Sequence, residues 1–208
     1  MSDVRGELVD AAMPVLSESG FASASARRIA QRAGCNQALV FYHFGSVNDL
    51  LIAALEQVSA QRMAAYRELL ERTGSLTELI AGARSVFEAD LDAGHVRVLT
   101  EMISGAQSAP DLGMRVAACL EPWRDFTVDA IRDVLAASPV ANLLPAEDAA
   151  HAVLAGFLGM EMLTSLDGDR ARALALFDRA QEIGGFLDQL GPLIALLNLG
   201  GARKKEGN

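Results

Sequence analysis

Only two cysteines, three histidines and one tryptophan occur among the 208 residues. Cys35 and Cys119 are too few and too far apart in sequence to build a disulfide framework, and they read as small hydrophobes. His43, His95 and His151 fall in separate segments without ligand spacing, so no metal site is expected. Cys-x-x-Cys, a Walker-type glycine loop and Gly-x-Ser-x-Gly are all missing. These absences leave no redox dithiol, no phosphate cradle and no serine elbow, and no cofactor is implied. Glu88 with Asp90, or Asp92 with His95, can be drawn as acid–base pairs. Charged residues at such spacings ordinarily form a solvated helix face, so no enzyme is expected.

Long apolar runs are missing as well. None approaches the roughly 20 residues of a membrane span. Pro192–Leu199 is apolar but short. The first residues, Met-Ser-Asp-Val-Arg-Gly-Glu, are charged and contain no apolar segment, so neither a signal peptide nor a membrane partner is expected. Positive charge is also in deficit, with a formal net charge of −9. Residues 1–50 hold four arginines against five acidic residues, a net −1, so the remaining chain carries −8. A cytoplasmic protein with an acidic body and a nearly neutral head is the expectation.

Strand-type alternation is nearly absent, whereas apolar residues recur at helical period throughout. The expected fold is all-α with about nine helices, over residues 3–19, 26–33, 36–44, 46–73, 76–91, 96–107, 111–137, 145–166 and 170–199. Pro14 and Pro122 fall inside helices and are expected to bend them. Ser138–Asn142 is expected to form a loop. The expected domains are a head over residues 1–50, a connecting helix over 46–73, a body over 74–200 and a flexible tail over 201–208.

The stretch Ser23–Ser46 organises the rest. Ala30 precedes Gly34 by four positions, and Val40 follows that glycine by six. This is helix-turn-helix spacing. The first helix needs a small side chain at the crossing, and the turn needs a left-handed residue. The second helix needs an apolar residue facing back. Ser25 is placed to cap the first of these helices and Asn36 the second, while Ser46 with Asp49 has capping-box spacing for the helix after it.

These residues resemble the DNA-binding domain of the TetR (tetracycline repressor-like) family. The matching elements are Ser25-Ala-Arg-Arg-Ile-Ala, Ala33-Gly-Cys35, Leu39-Val-Phe-Tyr-His-Phe44 and Ser46–Leu51. The resemblance implies a homodimer on a double-stranded operator, a ligand-binding body whose last two helices form the interface, and operator release on ligand binding. The family pattern also implies a lysine where Val47 stands, and a tyrosine where Phe41 stands. The residues expected to meet DNA are Ser25, Arg27, Arg28, Asn36, Gln37, Ala38, Phe41, Tyr42 and His43. Gln37 can pair with adenine and Ala38 can touch a thymine methyl. Asn36 has capping as its alternative use, and one of Arg27 and Arg28 has simple solvation.

In the body, Phe87, Met102, Trp123, Phe126, Phe157 and Glu161 are candidate contacts for a small apolar or amphipathic effector, with core packing as the plainer reading of each. Ala152, Ala155, Gly156 and Gly159 lie on one helix face. With Phe177, Gly184 and Leu187 of the last helix they are candidates for a dimer interface. The expected function is a ligand-responsive homodimeric repressor reading a palindrome. The alternative is a helical small-molecule-binding or interaction module with weak or lost DNA binding, which Val47 and the acidic balance favour.

Overall fold

The computed structural model describes residues 3–72, 74–107, 109–135 and 145–203, with backbone alone at 134, 135 and 190–203. The described residues form nine α-helices and one 3-10 turn, with no strand among them. In chain order these are α1 (Val4–Ser19), the 3-10 turn (Phe21–Ser23), α2 (Ala26–Arg32), α3 (Ala38–Phe44), α4 (Val47–Arg72), α5 (Leu76–Ala93), α6 (His95–Ala106), α7 (Pro110–Leu135), α8 (Ala146–Asp167) and α9 (Arg170–Arg203). The expected all-helical class and helix count hold. Thr73, residues 136–142 and residues 204–208, on which some sequence expectations fall, lie outside the described residues.

The boundaries follow local chemistry. Asp3 caps α1 by accepting the Gly6 N–H at 3.1 Å. Pro14 lies inside α1 and Pro122 inside α7. Ser46 Oγ accepts the Asp49 N–H at 3.1 Å, as the capping-box spacing requires. Ser75 Oγ does the same for Glu78 at 3.2 Å. Pro145 stands just before α8 as its cap rather than as its first helical residue. The expected stop at Gly200-Gly201 is overridden, because α9 continues to Arg203. Two glycines disfavour a helix by about 1 kcal/mol each, which does not by itself terminate one.

Two compact units emerge from the packing. The first comprises residues 1–65 with 89–123, and the second 66–88 with 124–208. This grouping cuts across the expected division near residue 74, because α4, α5 and α7 each contribute residues to both units. The first unit buries Leu8, Leu16, Ile29, Val40, Leu50, Leu51, Val98 and Met102 almost completely. Each such side chain contributes about 1.5–3 kcal/mol relative to exposure. The second unit is built on aromatic rings. The Phe87 ring stands 5.5 Å from Phe157 and 5.3 Å from Phe177 between centroids. Tyr66 lies 6.1 Å from Phe157 and 6.5 Å from Phe126. Edge-on and tilted contacts of this kind suit the ring quadrupoles.

Among the described residues one helix, α8, is long and apolar enough to cross a membrane. It has 22 residues and an 18-residue window of mean hydropathy 1.3, of which 22% is buried. The expectation concerned unbroken apolar runs, and α8 meets the test only by its length and average composition. His151, Glu161 and small polar residues interrupt the apolar run, so a search for unbroken apolar stretches passes over it.

Candidate nucleic-acid interface

The turn between α2 and α3 is made by one residue. Gly34 has φ +69°, and a Cβ added there would meet nothing within 4 Å. Glycine is therefore needed for the left-handed backbone and not for space. The chain reversal lets Cys35 N–H donate to Ala30 O at 2.9 Å. Ala30 is buried at the crossing and Val40 is wholly buried on α3, as the helix-turn-helix spacing requires. Burial raises the Cys35 thiol pKa, with Glu7 adding to the effect. A thiol shifted in that direction ionises less readily to the reactive thiolate.

With Val40 turned inward, the opposite face of α3 is free. Gln37, Ala38, Phe41 and Tyr42 are all exposed, Phe41 by 53% and Tyr42 by 81%. Their spacing places them on one side of the helix. Asn36 is spent on its capping alternative, accepting the Ala38 N–H at 2.8 Å. The helix accordingly begins at Ala38, two residues later than expected. His43 is half-buried, with its ring edge-on to Tyr42 at 4.9 Å. Ser25 is exposed and caps α2 through Arg28 N–H at 3.4 Å.

The cations of this surface divide by role. Arg32 is paired with Glu18 at 2.7 Å, and Arg5 stacks over the Phe44 ring at 4.9 Å. Arg27 and Arg28 are exposed and make no ion pair among the described residues. Arg27, Ala30, Gln31, Cys35 and Gln37 line an open groove of about 490 Å³. The chain bends by 66° between α3 and α4, and Gly45, with φ +80°, makes that corner.

The candidate effector residues divide between the units. Phe87, Phe126, Phe157 and Glu161 belong to the second unit, and Phe87 and Glu161 are fully buried. Met102 and Trp123 belong to the first. Trp123 donates its indole N–H to Ser59 Oγ at 2.6 Å, and Arg62 lies over its ring at 5.3 Å.

The dimer candidates also separate. Ala152, Ala155 and Gly156 are exposed, and nothing lies within 4 Å of a Cβ added at Gly156 or Gly159. Val153, Leu163 and Leu166 of α8 and Leu176, Ile183, Phe186 and Leu187 of α9 are exposed apolar residues around them. Phe177 instead packs on Phe87. Gly184 is buried against α5, where a Cβ would come 3.1 Å from Ile80.

Sequence reasoning missed several polar contacts. Asp90, taken for part of a solvated face, is buried and accepts from Arg62 Nε at 2.8 Å and faces His95 Nδ1 at 3.0 Å. Its position three residues after the buried Phe87 was the available signal. Arg115 of α7 pairs with Asp49 at 2.6 Å, and no local pattern announces that contact.

A short crossing held by Ala30 and Val40, a glycine turn and an outward polar–aromatic face define a helix-turn-helix module. Residues 8–54 match the family described as "Bacterial regulatory proteins, tetR family". Over these residues the chain is similar to the DNA-binding domain of that family. It is 27% identical over 97 residues to the HTH-type transcriptional regulator BetI 2 of Chromohalobacter salexigens, a match spanning 47% of this chain and 40% of that regulator. The fold is shared with the fatty acid degradation regulator FadR from Bacillus halodurans, at TM-score 0.74 and 14% identity over 88% of this chain and 95% of that one. It is shared too with FadR from Bacillus subtilis in complex with stearoyl-CoA, at TM-score 0.73 and 17% identity over 86% and 96%.

Proposed function

We propose that the protein is a homodimeric transcriptional repressor that reads a palindromic operator through α3 and is released by a small apolar or amphipathic effector. The observation that carries this reading is the free face of α3, with Gln37, Ala38, Phe41 and Tyr42 outward beside Arg27 and Arg28. Side chains of that kind suit a major groove, where glutamine reads adenine and alanine meets a thymine methyl. Tyr42 and the two arginines suit flanking phosphates. The reading places the protein in the cytoplasm and assigns no catalytic residue.

The exposed apolar face of α8 and α9 supports the second copy. A single module reads one half-site, whereas two copies read a palindrome. An exposed apolar face of this kind suits an interaction surface. The apolar effector is suggested by the ring-rich second unit and by the stearoyl-CoA held by the Bacillus subtilis structural relative.

Selection from a random duplex pool at low salt tests the reading. It predicts enrichment of palindromes, retained as a complex with two protomers. Failure to enrich any sequence supports the alternative, a helical binding module without DNA affinity, which Val47 and the net charge of −9 favour.

A further inference from the structure

Asp49 places a carboxylate in the first turn of α4, just past the corner that follows α3. Its acidity is strengthened by the Ser46 hydroxyl first and by Arg115 second. It therefore stays ionised at neutral pH. If α3 enters a groove, the start of α4 is carried toward the sugar-phosphate backbone. B-DNA carries one negative charge for about every 1.7 Å of axis, so an uncovered carboxylate there opposes binding. The neighbouring Val47 supplies no compensating cation.

A cation does reach this point, from a distant part of the chain. Arg115 Nη1 on α7 lies 2.6 Å from Asp49 Oδ1, in the same compact unit. Both side chains are half-exposed, at 43% and 39%. An ion pair that open to solvent adds little to folding stability, but its charges still act on a polyanion nearby. We propose that Arg115 promotes DNA binding through Asp49, screening the carboxylate and supplying from α7 the positive charge that the start of α4 lacks. This inference rests on the reading of α3 as the DNA-contacting helix.

A role in charge differs from a role as a strut in one measurable way. A strut needs both partners, so removing either one weakens binding. A screen is needed only while Asp49 is charged. The experiment is fluorescence anisotropy of the full-length protein on its selected palindrome at several salt concentrations. Arg115→Gln is expected to weaken binding about tenfold at low salt, with the gap closing as salt rises. Arg115→Lys should remain within about threefold of wild type, because it keeps the charge. Asp49→Asn, which can still accept from Ser46, should bind at least as tightly as wild type. Arg115→Gln combined with Asp49→Asn should recover most of the loss. Thermal unfolding within a few degrees of wild type establishes that the variants are folded. Equal losses in Asp49→Asn and Arg115→Gln would overturn the proposal in favour of a strut. An unchanged Arg115→Gln would overturn it outright. If wild type itself retains no DNA, the DNA-binding reading fails, and that outcome is distinct from either of the others.

Discussion

The main-chain N–H of Phe21 donates to the Glu101 carboxylate of α6 at 2.8 Å, across 80 residues of sequence. The ring of the same phenylalanine lies over Gly105, where a Cβ would come within 2.5 Å of it. Phe21, two residues after α1, is thus fastened to α6 by a charge-assisted hydrogen bond and by close packing. The junction that leads from α1 into α2 is set by these two contacts.

Gly105→Ala should therefore destabilise the protein by about 1–3 kcal/mol, because the ring has to move from its packed position. Glu101→Ala, which leaves the Phe21 N–H without this acceptor, should cost about 1–3 kcal/mol. Urea denaturation followed by circular dichroism measures both. Wild-type midpoints in both variants would show that the Phe21 junction is not a stabilising contact.

Tyr42 is exposed by 81% and supports no core. Tyr42→Ala should leave the melting temperature within about 2 °C of wild type. It should also reduce affinity for the selected operator by at least tenfold. Wild-type affinity in a folded Tyr42→Ala protein would remove that residue from the interface.

The paired change Ile183→Glu with Phe186→Glu tests the open face of α9, where both residues are 62% exposed. Sedimentation should show a shift from dimer to monomer, with operator affinity falling in parallel. Unaltered sedimentation would place the interface elsewhere.

Asp188, in the interior of α9, holds the start of α5 by accepting from Thr77 Oγ1 at 2.7 Å and from the Thr77 and Leu76 N–H groups at 3.0 Å. The Thr77 hydroxyl is the largest cause holding its carboxyl below the usual range, followed by the Thr77 N–H. A folded-state pKa lower than the unfolded one gives stability that is present above the unfolded value, near 3.9, and lost as pH falls through the folded value. The wild-type protein should therefore lose more stability than Asp188→Asn as pH falls below about 4. Parallel acid-unfolding curves would show that Asp188 contributes nothing to acid sensitivity.

What was legible in the sequence was what depends on local pattern. Ala30, Gly34 and Val40 announced the turn through their spacing, and Ser25, Asn36 and Ser46 announced their caps. What was not legible depends on contacts between distant residues. Asp90 looks like any helix-surface carboxylate until Arg62 and His95 are brought to it. Phe177 and Gly184 carry the same pattern as interface residues, and only packing on Phe87 and Ile80 places them inside. Arg115 has no neighbour in sequence that points to Asp49. The length of α9 past Gly200-Gly201 likewise contradicts the strongest local stop signal in that region.

The central claim is that two copies together read a palindrome through α3. The most direct measurement compares the selected operator with the same duplex carrying five additional base pairs between its half-sites. That insertion is about half a helical turn and moves the half-sites to opposite faces of the DNA. The account predicts that specific binding falls to the level of unrelated DNA. Equal affinity for both duplexes, or for an isolated half-site, would contradict it.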